Sequence, residues 1–83
     1  MVFSRSRSLE DVARNTCKVL LRKSRTRNVS GEELDECITI VRGFLSGETS
    51  VHETAATLAS LFGLRYTEVE REILKARRYV EQR

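Results

Sequence analysis

Three side chains in this 83-residue chain are suited to metal or thiol chemistry: Cys17, Cys37 and the single histidine, His52. Zinc sites draw their ligands from closely spaced pairs, two to five residues apart. These three stand far apart on separate helical patterns, so no metal site and no cofactor is expected. The two cysteines have a second possibility. Both fall on the inner faces of predicted helices that should pair antiparallel. With the turn near residue 28 or 29, Cys17 faces about residue 40, one helical turn from Cys37. Contact is thus plausible, and a disulfide is open in an oxidising setting. No apolar run follows the Met-Val-Phe-Ser-Arg-Ser-Arg-Ser start, so no leader or membrane span is read there and a cytoplasmic location is the default expectation. In that compartment the two thiols would be reduced and packed as small hydrophobes.

Catalysis needs more than the chain offers. His52 falls in the first turn of a predicted helix, a surface position. No nucleophile–base pair, phosphate-cradling glycine loop or paired carboxylates can be named. The expectation is a non-enzymatic protein with no small-molecule substrate.

Charge is more informative. The net charge is +3. Residues 1–28 carry eight Lys or Arg against two acids, residues 29–64 one against six, and residues 65–83 six against four. A basic start on an acidic middle is the asymmetry of a chain with a polyanionic partner. Arg5 and Arg7 are candidates for an arm that enters a minor groove. Arg22, Lys23, Arg25 and Arg27 are candidates for phosphate contacts from a helix end and loop. Arg65, Arg71, Lys75 and Arg78 extend the candidate nucleic-acid surface into the last helix. The alternative is a solvated surface with ordinary helix-end charge compensation. No aromatic residues interleave with these clusters, so stacking on single strands is poorly supported.

The elements that must position these groups are four helices. Four segments begin with a hydroxyl followed three residues later by an acid: Ser8–Asp11, Ser30–Glu33, Ser50–Glu53 and Thr67–Glu70. In such a capping box the hydroxyl accepts from a first-turn amide and the carboxylate reaches back to the cap amide. Each box leads into apolar residues at helical spacing. The predicted helices run from Leu9 to about Lys23, Gly31 to Leu45, Val51 to Phe62, and Glu68 onward. Gly47 and Gly63 are the expected stops. Gly43, inside the second helix, is expected to allow close approach of another backbone. The fold class is therefore all-α, a compact bundle of four short helices. Residues 1–8 are expected to form a flexible basic arm and 9–83 a single domain. The absence of proline and an apolar content of 40% fit this reading.

The segment Thr54–Leu64 resembles the first half of a DNA-binding helix-turn-helix. The motif places a small residue at the helix crossing, a glycine four positions later, an apolar residue next, and another after the turn. Here these are Ala59, Gly63, Leu64 and Val69. The resemblance implies that the third and fourth helices sit in a helix-turn-helix-like arrangement and that duplex DNA is the partner. Two features differ from it. The motif caps its second helix two residues after the glycine, at Arg65, whereas the predicted cap is Thr67. That helix also starts with Glu68, Glu70 and Glu72, which oppose phosphate.

A protein-binding module is the alternative. Val69, Ile73, Ala76 and Val80 are spaced 4, 3, 4 along the last helix, with Leu74 beside them. That seam suits a homodimer or a partner's helix.

Overall fold

A computed structural model describes residues 9–24 and 30–81. Arg5, Arg7, Arg25 and Arg27, the Ser8 cap and the expected arm lie outside the described residues. Helix α1 spans Leu9–Lys23, with Glu10 and Asp11 in its first turn and Arg22 and Lys23 in its last. These charges complement the helix dipole at both ends. Helix α2 spans Gly31–Leu45 and is held at its start by a complete capping box. The Glu33 amide donates to Ser30 Oγ at 3.2 Å, and the Ser30 amide donates to Glu33 Oε1 at 3.2 Å. Helix α3 spans Val51–Phe62. Its Ser50 cap accepts from the Glu53 amide at 3.1 Å. Among the described residues no strand is formed.

The two glycine stops work as expected. Gly47 has φ +90° and Gly63 has φ +63°, values that cost any residue with a Cβ. After α2, the Glu48 amide reaches back to the Gly43 carbonyl and the Gly47 amide to that of Phe44. After α3, the Leu64 amide reaches back to the Ala59 carbonyl. Both are Schellman-type closures that satisfy carbonyls left open at the helix end.

Helix α4 departs from expectation. It spans Tyr66–Glu81, two residues earlier than the Thr67 cap predicts. The Arg65 carbonyl accepts from the amides of Glu68 and Val69, both at 3.1 Å. Thr67 therefore lies inside the first turn, and the Thr67–Glu70 box is not formed. The gain that overrides a side-chain cap is packing. Tyr66 packs against the core, and its hydroxyl meets His52 Nδ1 at 2.9 Å. A cap is worth about 1 kcal/mol, and part burial of a large aromatic ring offsets that.

Cys17 lies close to Cys37, and Glu10 close to Arg42, so α1 and α2 run antiparallel. Cys17 and Cys37 form a disulfide with Cα atoms 6.0 Å apart. The expectation of reduced thiols is thus not met. The bond sits at the centre of the core, both residues being fully buried. Around it pack Ala13, Leu20, Val41, Phe44, Ala55 and Leu58. Helix α4 completes this core with Val69 and Ile73, both fully buried. Gly43 does not stand at a helix crossing. A Cβ there would meet only the Glu48 carboxylate, at 3.6 Å.

Two sets of substitutions test this packing. Gly43→Ala should stabilise the fold by about 0.5–1 kcal/mol, because the helix interior gains Ala propensity with no steric cost. A lower melting temperature for this variant would show that the site is tighter than 3.6 Å implies. The disulfide closes a sequence separation of 20 residues, worth about 3 kcal/mol by loop-closure entropy. Denaturant unfolding of the double variant Cys17→Ala, Cys37→Ala should show destabilisation of at least that size.

Candidate nucleic-acid interface

The candidate surface is built where the end of α1 meets the corner between α3 and α4. Ser24, just past α1, donates from its hydroxyl to the Phe62 carbonyl at 2.8 Å. That carbonyl is at the end of α3 and beside the Gly63 turn. One residue earlier, Lys23 Nζ pairs with Glu72 Oε2 of α4 at 3.4 Å. These two contacts carry the basic end of α1 to the flank of α4. The sequence clusters 22–23 and 65–78 thus become neighbours in space.

Glu72 is the pivot of this arrangement. Its side chain is only 10% exposed, and Lys75 Nζ lies 3.6 Å from its second oxygen. The acid therefore does not project from α4 towards solvent. It is neutralised by one lysine from its own helix and one from α1, the kind of pairing that a nearly buried carboxylate requires. Glu68 and Glu70 are half-buried and make no ion pair among the described residues. Sequence reading treats the three acids alike, and the structure separates them.

The rotation of α4 sets what faces outward. Val69, Ile73 and Ala76 point into the core. At about 100° per residue, Arg71 and Arg78 then lie on the opposite side, with Thr67 and Leu74 beside them. All four are exposed, as are Arg65 at the helix start and Lys75 at its edge. Arg22 and Lys23 are exposed on α1. Arg77 is excluded from this face. Its guanidinium lies 5.0 Å from the centroid of the Phe44 ring, and its Nε is 3.6 Å from Glu81. It is a half-buried packing residue with its charge turned to internal use.

The seam residues expected to serve association have a different place. Val69 and Ile73 are fully buried and Ala76 is 6% exposed, all within the chain's own fold. Val69 and Ile73 are closed to a second copy in this fold, while Ala76 lines the groove between α1 and α4. Val80 is half-buried, and Leu74, at 39% exposure, remains on the surface. The 4, 3, 4 spacing is therefore an intramolecular seam, correcting its reading as an oligomer contact.

Sequence reasoning missed Ser24 as a connecting residue, and named Glu72 only among the acids that open the last helix. Ser24 carries no pattern that would single it out. Glu72 had one available signal: Lys75 follows at i+3, where an acid–base pair is a neighbour on the helix surface. Its partner Lys23 is 49 residues away, beyond any local signal. His52 is exposed and engaged with Tyr66, their ring centroids 5.6 Å apart. No group of three His, Cys, Asp or Glu side chains suited to a metal ion occurs among the described residues. No helix there is long and apolar enough to cross a membrane.

Comparisons with known protein families, with curated proteins and with solved structures find no significant match.

The α1–α4 linkage is measurable by a double-mutant cycle. Lys23→Ala and Glu72→Ala should each destabilise, and together less than additively, with a coupling of about 0.2–1 kcal/mol for a nearly buried acid paired with a solvent-exposed lysine. Strict additivity in urea unfolding would mean that the 3.4 Å pair does not hold α1 to α4.

Proposed function

We propose that this protein is a non-enzymatic DNA-binding module that contacts duplex DNA through the outer face of α4. The observation that carries the reading is the inward turn of Glu72 into its two lysines, which leaves Arg71 and Arg78 at the centre of an exposed face. The start of α4 supports the same reading. A helix-turn-helix expects its second helix to be capped two residues after the turn glycine, and that residue, Arg65, supplies the capping carbonyl. Gly63 has the left-handed backbone that such a turn uses. Leu58, Phe62 and Val69 are buried and Ala59 and Leu64 are half-buried around it.

In this reading α4 lies in the major groove and Arg71 reaches base edges. Arg65 and Arg78 contact phosphates at the two ends of the helix. Arg22 and Lys23 contact the adjoining backbone from α1, with Lys75 shared between phosphate and Glu72. Glu68 and Glu70 flank the helix and restrict which phosphates can approach. The role in this reading is regulatory, a binding surface that occupies duplex DNA. A cytoplasmic setting fits this role if buried disulfides persist there, as in proteins of heat-adapted cells. The chain's low amide content, three Asn plus Gln in 83 residues, agrees with such a source.

Fluorescence anisotropy with a labelled duplex tests the proposal. Binding should weaken as salt rises; Arg78→Ala should reduce the salt slope by about 1, while Arg71→Ala should cost about 1–3 kcal/mol and relax the preference for one sequence. No salt-dependent binding at roughly 50 µM protein and low salt would overturn it.

A further inference from the structure

We infer that the Cys17–Cys37 bond is a gated redox latch, which a small dithiol reduces when the first turn of α2 parts from α1 and whose reduction loosens the fold. Both cysteines are fully buried, so the bond is closed to reagents in the folded chain. The gate is at one end of the α1–α2 hairpin. A cleft of about 430 Å³ lies there, lined by Lys18, Leu21 and Arg22 of α1 and by Ser30, Gly31 and Leu34 at the start of α2. Leu21 is four residues after Cys17, and Leu34 is three before Cys37. Each is thus about one helical turn from the bond. Because the helices run antiparallel, both leucines are on the same side of it. Both pack against the core and stand between the cleft and the sulfurs.

The two sides of this gate are not held equally. The end of α1 is tied to α3 and α4 by Ser24 on the Phe62 carbonyl and by Lys23 on Glu72. The start of α2 is bonded to itself, through the Ser30–Glu33 box and the Leu34 amide on the Ser30 carbonyl. Leu34 is the first side chain of α2 packed on the core. Swinging this turn outward therefore breaks less than moving α1 does, and such a local opening costs less than unfolding. The chemistry then balances with the dithiol as reductant. Its thiolate attacks one sulfur, the S–S bond breaks, and the other cysteine leaves as a thiolate. The reagent's second thiolate displaces the first cysteine from the mixed disulfide. The reagent's two protons end on Cys17 and Cys37, and it departs as a cyclic disulfide, oxidised by two electrons. Lys18 and Arg22, both exposed at the cleft, favour the approach of the thiolate. A latch of this kind lets an oxidised core outlast reducing surroundings, since the bond exchanges only as often as the gate opens. It does not rest on DNA binding.

Timed reduction of the full chain by dithiothreitol, with free thiols alkylated and counted by mass, tests the gate. Reduction should be about a hundredfold or more slower than in the urea-unfolded chain at the same pH and reagent concentration. The rate should stay nearly flat in urea below the unfolding transition, because a local opening exposes little surface. Leu34→Ala should speed reduction by the factor by which it lowers the folding equilibrium constant. Val69→Ala, in the α4 part of the core, should lower that constant while leaving the rate within about twofold. Once reduced, and with reagent still present, the chain should melt about 12–24 °C lower. Reduction as fast as in the unfolded chain would overturn the proposal. So would acceleration by urea and by Val69→Ala in step with lost stability, since the route would then be unfolding and not the gate. An unchanged melting temperature after reduction would show that the bond is no latch.

Discussion

The rotation of α4 about its own axis is the constraint on which the remaining features depend. A chain of 83 residues has little apolar surface to spare, and small domains bury a smaller share of it than large ones do. Val69, Ile73 and Ala76 are consequently drawn into the core. Once they point inward, no freedom remains for the other side chains of the helix. Glu72 is about 70° from the centre of the buried stripe, which puts it at the α1 boundary. There it is too enclosed to remain alone, and Lys23 and Lys75 compensate it. Arg71 and Arg78 are on the far side because the apolar stripe is not.

The disulfide acts on the other half of the same packing. It ties α1 to α2 at the core centre, close to Leu20 and Val41. Helix α4 packs across both helices of that hairpin, through Lys23 on one and Phe44 on the other. A restrained α1 keeps Lys23 within reach of Glu72 and Ser24 within reach of Phe62. The buried covalent bond and the half-buried ion pair thus stabilise one arrangement, the first by restricting the unfolded chain and the second by fixing the flank of α4.

Much of the fold was legible because its signals are local. Ser30, Ser50, Gly47 and Gly63 each act within four residues, and the second and third helices begin and end where these residues say. The fourth helix begins early because its start is decided by Tyr66 packing on the core and meeting His52, a partner 14 residues back. No cap pattern contains that contact. The seam was legible as a buried stripe, but spacing does not reveal what buries it: another copy or the chain itself. Glu72 was grouped with Glu68 and Glu70 for a related reason. Its environment depends on Lys23, and only the folded arrangement of α1 on α4 shows that one of three similar acids is not presented to solvent. The disulfide lay between these cases. Helix pairing placed the two cysteines within a turn of each other, while the redox state could not be read from spacing.

The number of free cations on the surface constrains the functional reading further. Lys23 and Lys75 are both shared with Glu72, and Arg14, Arg42 and Arg77 are occupied by Glu10, Phe44 or Glu81. The described residues then leave Arg22, Arg65, Arg71 and Arg78 as the arginines not held in an ion pair or over a ring. Each neutralised phosphate adds to affinity through counterion release, so a surface with so few contacts binds weakly by itself.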